Sequence, residues 1–313
     1  MTESLPSPDA PLRIGTRGSP LALAQAEETR ARLMSAHGLP EAAFTITVIR
    51  TTGDAVQDRP LSEVGGKGLF TKEIEEALLS GGIDIAVHSM KDMPTVLPEG
   101  LEITSLLPRE DVRDAFVSLR HGSLAELPEG STVGTSSLRR RAQLLNRRPD
   151  LRVVEFRGNV QTRMRKLADG VAEATFLACA GLHRLGLAHE VRAAIEPEHM
   201  LPAVAQGAIG IESRAADDAT RALLAAINDT PTTQRLAAER AFLAGLDGSC
   251  RTPIGGLALL EGDMLWLRGE IIRPDGSVRH ATERRGPIGD GAAMGADAAA
   301  ELRQRGGPDF FDL

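Results

Sequence analysis

A short pattern that occurs twice limits the folds that this chain can adopt. Residues 13–25 are predicted to form a strand, a Gly-Thr turn and a helix that begins at a hydroxyl-bearing residue and contains the pair Ala-Gln. Residues 131–143 repeat this order. Ser19 followed by Pro20 is typical of a helix start, because serine caps free N–H groups and proline fits the first turn. The repeat therefore predicts two similar α/β lobes.

The regions outside the repeat fit this plan and add a smaller domain. Strand-like and helix-like segments alternate as far as Asn228, which predicts largely parallel sheets. Beyond Pro231 the pattern changes to one helix, three short strands and an alanine-rich helix, which is typical of a small α+β domain. A chain of 313 residues also exceeds the usual size of one hydrophobic core, so several domains are expected.

Both predicted helix starts could bind an anion, because they present free N–H groups and the positive end of the helix dipole. Arginines lie close by, and the planar guanidinium group binds carboxylates through two hydrogen bonds. We therefore expect the two lobes to share an anionic ligand. The alternative is a solvated helix face with surface ion pairs, which we prefer for Arg141, Arg147 and Arg148. The candidate ligand-binding residues are Arg17, Ser19, Ser136, Ser137, Arg139, Arg140, Arg157, Arg163, Lys166 and Arg184.

A carboxylate follows the strand predicted over residues 83–87, at the strand end where α/β sheets bind ligands. Asp92 is the only obvious carboxylate among the candidate groups, and it could transfer a proton or stabilise a developing cation. The alternative is an Asx turn ahead of Pro94. His88 is interpreted as a packed strand-end histidine, because no partner lies at metal-ligand spacing. No metal is expected.

The chain has two cysteines in different surroundings. Cys250 lies among glycine, serine and proline residues that favour a loop, and the adjacent Arg251 favours the reactive thiolate. The alternative is a buried, inert thiol. Cys179 lies in an apolar run and is predicted to be a core residue. Two such cysteines do not form a disulfide framework, which is consistent with a reducing compartment.

Several classes of protein are disfavoured. The sequence around Lys67 lacks the P-loop spacing, and the polar stretch from Arg50 to Gly68 is predicted to be a mobile loop or lid. A net charge of -7 opposes general binding to nucleic acid, which needs a basic face. The polar N-terminal segment and the absence of a long apolar run predict a soluble cytoplasmic protein with no membrane partner. A non-catalytic bilobed anion-binding protein stays open as an alternative.

Six segments, in order between about residue 12 and residue 285, resemble the porphobilinogen deaminase (hydroxymethylbilane synthase) family. They are residues 15–22, 65–70, 86–94, 134–140, 157–160 and the loop around Cys250. The resemblance implies a monomeric transferase that deaminates and joins four porphobilinogen molecules into the linear tetrapyrrole hydroxymethylbilane, in haem biosynthesis. It also implies a dipyrromethane primer, held as a thioether on Cys250.

The resemblance further implies a role for each matching residue. Asp92 assists deamination and stabilises pyrrolic cations, and Lys67 and Phe70 belong to a mobile active-site loop and its base. The implied fold has two periplasmic-binding-protein-like (type II) lobes, formed by residues 1–107 with 202–225 and by 108–201, and an α+β domain over 226–313 that carries Cys250. The residues that match carboxylate-binding positions are Arg17, Ser19, Lys91, Thr135, Ser136, Ser137, Arg139, Arg140, Arg157, Arg163 and Arg184.

Overall fold

The strand and helix patterns of the sequence form three β-sheets in the computed structural model, which describes residues 5–55, 71–248 and 252–312. These residues form two compact units. The first unit contains residues 5–55, 71–109 and 208–233, and the second contains residues 110–207 and the described residues from 234 onward. No helix in these ranges is long and apolar enough to cross a membrane.

Strands and helices alternate along much of the chain. The strands are β1 (Leu12–Thr16), β2 (Phe44–Val48), β3 (Ile85–Ser89), β4 (Leu101–Leu106), β5 (Asp114–Ser118), β6 (Thr132–Gly134), β7 (Arg152–Val154), β8 (Ala174–Ala178), β9 (Ala193–Ile195), β10 (Ile209–Arg214), β11 (Ile254–Glu261), β12 (Met264–Ile272) and β13 (Arg279–Pro287). The α-helices are α1 (Pro20–His37), α2 (Thr52–Ala55), α3 (Lys72–Leu79), α4 (Leu138–Arg147), α5 (Val160–Ala168), α6 (Cys179–Arg184), α7 (Asp218–Ala225), α8 (Thr230–Gly245) and α9 (Gly291–Gly306).

The two larger sheets have equivalent topologies. The sheet of the first unit has the order β2-β1-β3-β10-β4, and the corresponding sheet of the second unit has the order β7-β6-β8-β5-β9. In each, three neighbouring strands are parallel and the fourth, β10 or β5, is antiparallel to both of its neighbours. The prediction of two similar α/β lobes is confirmed. The sheets are mixed rather than largely parallel, because β10 and β5 run opposite to both of their neighbours.

Both helix starts predicted by the repeat are confirmed. Ser19 Oγ accepts a hydrogen bond from the N–H of Ala22 at 3.2 Å, and Pro20 is the first residue of α1. In the second lobe, Ser137 Oγ accepts from the N–H of Arg140 at 3.4 Å, at the start of α4. Each cap satisfies one N–H group that has no partner inside its helix.

Apolar side chains from both faces of each large sheet form the cores. In the first lobe, Ile85 and Ile211 pack with Leu33 of α1, and all three are fully buried. In the second lobe, the rings of Phe116 and Phe176 lie in one buried cluster. Complete burial of such side chains stabilises the fold by about 1.5–3 kcal/mol each.

The last part of the chain forms the predicted smaller α+β domain. Strands β11, β12 and β13 pair in an antiparallel sheet. Leu265 and Leu267 of β12 are fully buried, and Phe242 of α8 lies against Gly269 of the same strand. The predicted helix near residues 291–305 is confirmed as α9.

Candidate functional site

A polar cleft lies at the ends of β1 and β3 in the first lobe. It encloses about 450 Å³ of space, part of it open to solvent. Three of the predicted site residues, Arg17, Ser19 and Asp92, line this one cleft. The structure therefore brings the predicted carboxylate into the same cleft as a predicted anion-binding helix start. The other lining residues are Leu21, Ala22, Gln25, Thr71, Val87, His88, Ser89 and Met93.

The start of α1 gives this cleft a positive character. The first turn of the helix contains no acidic residue, so no side-chain charge there offsets the positive end of the helix dipole. Arg17, three residues before the helix, adds a full positive charge. Backbone N–H groups and a guanidinium group together suit a carboxylate ligand.

Asp92 lies in a single turn that follows β3. The strand continues to Ser89, and the 3-10 turn then comprises Met90–Asp92. The N–H of Met90 donates to the carbonyl of Ala208 at 3.0 Å, which anchors the turn to the segment before β10. Asp92 is exposed and Lys91 is half-buried. An exposed carboxylate in a cationic cleft is available to a ligand that carries both negative groups and a reacting cationic centre.

The second lobe places its predicted hydroxyl residues at the start of α4. The hydroxyl oxygens of Thr135, Ser136 and Ser137 accept main-chain hydrogen bonds from Ser137, Phe156 and Arg140, respectively. These bonds fix the side chains while each hydroxyl keeps its own proton to donate. Three oriented hydroxyl donors at one helix start can contribute to binding an anion.

Asp114, the first residue of β5, is a buried carboxylate that the sequence analysis missed. Its oxygens accept hydrogen bonds from Arg139 Nη2 and Arg140 Nη2, each at 2.7 Å, and from Gln206 Nε2 at 3.0 Å. Asp92 is the only obvious carboxylate among the candidate groups in the sequence, but the structure adds a second carboxylate that pairs with two of the candidate arginines. Burial raises the pKa of a carboxyl group, but the charges and hydrogen bonds of the two arginines hold the pKa of Asp114 well below its usual range.

Arg163, near the start of α5, lies close to two other arginines. The side chain of Asn159 caps this helix, and Arg163 Nε donates to the carbonyl of Gly158 at 2.9 Å. Burial, together with the positive charges of Arg140 and Arg157, lowers the pKa of Arg163 to about 10. Like charges held this close repel one another, and a bound polyanion would relieve that repulsion. The donor set therefore fits a ligand with several carboxylates.

The structure also describes Arg184 and Cys179, whereas three other predicted residues fall outside the described ranges. Arg184 Nη2, at the end of α6, donates to the carbonyl of Gly207 at 3.1 Å. Cys179 is confirmed as a core residue, and burial raises the pKa of its thiol to about 12. Lys67, Phe70 and Cys250 fall outside the residues that the structure describes. Within those residues, no group of His, Cys, Asp and Glu side chains could hold a metal ion.

Comparison with known proteins gives consistent matches over nearly the whole chain. The family model described as "Porphobilinogen deaminase, dipyromethane cofactor binding domain" matches residues 12–222. A second model, "Porphobilinogen deaminase, C-terminal domain", matches residues 233–304. The chain is 68% identical over 308 residues to the porphobilinogen deaminase of Paracoccus denitrificans (strain Pd 1222), which covers 98% of each chain.

Two further similarities were found. The porphobilinogen deaminase of Nitrobacter hamburgensis (strain DSM 10229 / NCIMB 13809 / X14) is 60% identical over 300 residues, covering 96% of this chain and 95% of that protein. Among solved structures, the methionine-binding protein MetQ aligns with a TM-score of 0.45 and 16% identity, over 73% of this chain and 94% of that one. A structural likeness of that size supports no conclusion about ligand or activity.

Proposed function

Because this chain belongs to the porphobilinogen deaminase family, we propose that Asp92 is its catalytic carboxylate and that Cys250 is the attachment point of its dipyrromethane cofactor. The protein is a transferase that deaminates porphobilinogen and joins four molecules head to tail, before hydrolysis releases hydroxymethylbilane. The family assignment disfavours the alternative of a non-catalytic anion-binding protein.

The presence of Asp92 in one cleft with Arg17 and Ser19 carries the proposal for the catalytic residue. Each porphobilinogen ring bears an acetate and a propionate group. Arg17 and the start of α1 bind such a carboxylate, with each charge-assisted hydrogen bond contributing about 1.5–3 kcal/mol. Binding at that end of the cleft holds the reacting aminomethyl group of the substrate beside Asp92.

Asp92 has two chemical tasks in each condensation. When the carbon–nitrogen bond breaks and ammonia leaves, positive charge develops on the pyrrole, and the negative carboxylate stabilises it. When the new carbon–carbon bond has formed, the ring that was attacked loses a proton, and the carboxylate accepts it. One exposed carboxylate can perform both tasks because they occur in sequence.

The cations of the second lobe would hold the acidic groups of the cofactor and of the growing chain. When bound, the dipyrromethane supplies the primer to which the first substrate is joined. Arg140, Arg157 and Arg163 supply positive charge, and Arg139 shares Asp114 with Arg140, so two guanidinium groups oppose one carboxylate there. The same proposal includes Lys91, Thr135, Ser136, Ser137 and Arg184 as binding residues.

The chain is organised as three domains with a loop over the active site. Lys67 and Phe70 belong to a loop that covers the substrate and to its base. The first lobe comprises residues 1–107 and 202–225, the second comprises residues 108–201, and the C-terminal domain comprises residues 226–313. The separate β-sheet in each of these regions supports this division. The protein acts as a cytoplasmic monomer and binds neither nucleic acid nor membranes.

Replacing Cys250 tests the attachment point. The purified protein should be heavier than its sequence by one dipyrromethane, and the Cys250→Ser variant should have the mass of the bare chain, because the thioether needs the sulfur. Intact-mass spectrometry measures both. Cys179→Ser is the matched control and should keep the added mass, since that thiol is buried. Active protein with an unmodified Cys250 would contradict the proposal.

Replacing Arg157 tests the arginine cluster. The Arg157→Ala variant should stall chain elongation. Each added ring brings two more carboxylates to be bound, and the variant lacks one of the guanidinium groups that bind them. Mass spectrometry during turnover should then show enzyme–substrate adducts that accumulate. Arg141→Ala is the control, because Arg141 lies on the exposed side of α4. Product formation by Arg157→Ala at the rate of the unmodified enzyme would remove Arg157 from the binding site.

A further inference from the structure

A buried hydrogen bond links His88 and Glu212 beneath the turn that carries Asp92. In the antiparallel pairing of β3 and β10, His88 lies opposite Gly210 and Glu212 lies opposite Ala86. Residues that lie opposite each other, and residues two positions apart on one strand, share a face of the sheet. His88 and Glu212 therefore point to the same face as diagonal neighbours. His88 Nε2 lies 3.0 Å from Glu212 Oε2. Since a carboxylate only accepts, the imidazole donates this bond.

Glu212 has no access to a ligand. It is 0% exposed, and its Oε1 accepts no hydrogen bond from the residues that the structure describes. Helix α3 covers this side of the sheet, since Ile74 and Leu78 pack against Ala86. A buried carboxylate is costly unless it is paired and hydrogen-bonded. The hydrogen bond from His88 therefore offsets part of the cost of burying the Glu212 carboxylate.

Glu75 of α3 adds a second carboxyl group to this region. It is 8% exposed, so it too is shielded from the cleft. Burial raises the pKa of Glu75, and the negative charge of Glu212 raises it further. Glu75 thus brings a second carboxyl group within electrostatic range of the His88–Glu212 pair.

The residue opposite His88 connects this bond to the turn. A Cβ atom on Gly210 would lie only 2.1 Å from Met90 Sδ, so the space that a side chain would need is filled by Met90, the first residue of the turn. The N–H of Met90 also bonds to the residue that precedes β10. The end of β3 and the turn are therefore packed directly on β10, the strand that carries Glu212.

We propose that Glu212 is a positioning residue for Asp92: by accepting a hydrogen bond from His88, it ties the end of β3 to β10 and fixes the turn that presents the carboxylate to the substrate. The inference rests on the proposed role of Asp92. Misplacement of a reacting group by about 1 Å can reduce a rate roughly 100-fold, so loss of this tie should affect the chemical step.

Paired substitutions at Glu212 test the inference in the cofactor-loaded enzyme. Glu212→Leu removes the acceptor, and kcat should fall at least tenfold while KM changes less than threefold. Glu212→Gln keeps an oxygen that can accept from His88 Nε2, and kcat should stay within threefold of the unmodified enzyme. Rates are divided by the fraction of protein that carries dipyrromethane, measured by intact mass, so that misfolded protein does not contribute.

Asp84→Asn is the control for general loss of stability. Asp84 immediately precedes β3 at its other end and binds the side chain of Arg13 through Oδ1 and Oδ2 at 2.7 and 2.9 Å. This variant should unfold more easily but keep its kcat. If Glu212→Leu does not accumulate as folded enzyme, the same comparison is made with Glu212→Met and Glu212→Gln, since methionine also removes the carboxylate acceptor and Glu212 does not line the cleft.

Two outcomes would overturn the inference: an unchanged kcat in the leucine variant, or an equal fall in the leucine and glutamine variants. Asp92→Asn is measured alongside to separate the inference from the proposed function. If Asp92→Asn is inactive and Glu212→Leu is normal, only the positioning role fails. If Asp92→Asn retains turnover, the catalytic role of Asp92 fails first, and the positioning role fails with it.

Discussion

The Asp92→Asn variant should lose turnover by at least about 100-fold, within the range that one acid–base group contributes to catalysis. Asparagine keeps the size of the side chain but carries no negative charge and cannot accept a proton under these conditions. It can therefore neither stabilise the pyrrolic cation nor take up the proton that is lost after condensation. Steady-state rates of product formation measure the loss.

The same variant should keep its dipyrromethane, because the groups proposed to hold the cofactor are unchanged. Intact-mass spectrometry checks this point on the same preparation. Glu99→Gln is a matched control, since Glu99 is an exposed carboxylate on the connection between the turn and β4 and does not line the cleft. Near-normal rates for Asp92→Asn, or an equal loss in Glu99→Gln, would remove Asp92 from the chemistry.

The Asp114→Asn variant should lose about 3–5 kcal/mol of unfolding free energy, the usual cost of removing one partner from a buried ion pair. Arg139 and Arg140 are 5% and 6% exposed, so both would keep buried charges opposite a neutral amide. Urea unfolding at pH 7 measures the change. Asp150→Asn is the control: its partner Arg148 lies in a partly exposed ion pair, and a much smaller loss is expected.

The difference in unfolding free energy between the Asp114→Asn variant and the unmodified protein should become smaller at acidic pH. The pKa of Asp114 is lowered in the folded state, so its stabilising effect is complete above the ordinary aspartate pKa of about 3.9. The effect is lost as pH falls from there towards the lowered folded-state pKa. The difference should therefore be equal at pH 7 and pH 5 and smaller at pH 3. A difference that grows on acidification would contradict this origin.

The parts of the site that the sequence predicts are those set by local chemistry. Ser19 and Ser137 could be predicted as helix caps from the sequence. A cap needs only a hydroxyl oxygen that accepts a hydrogen bond from the N–H three residues later. Asp92 could be placed because it follows a short apolar strand. These relations span a few residues and are therefore visible in a single sequence.

The parts that the sequence does not predict depend on distant pairings. Asp114 meets Arg139 and Arg140 only because β5 lies in the same lobe as the start of α4, and Glu212 meets His88 across 124 positions of the chain. The available signal was a single carboxylate at one end of a short apolar run in a β-strand, as in residues 209–212 and 114–117. Such a carboxylate predicts a buried partner but does not identify it.

The burial of Cys179 makes this cysteine an internal reporter of opening motions. Burial raises the pKa of this thiol to about 12 and leaves the residue 1% exposed, so the reactive thiolate is scarce at pH 7 and alkylating reagents have little access to it in the folded protein. Any modification of Cys179 must then follow a fluctuation that exposes the start of α6. The rate of its alkylation would thus time the opening of the second lobe under native conditions, without denaturant and without an added probe.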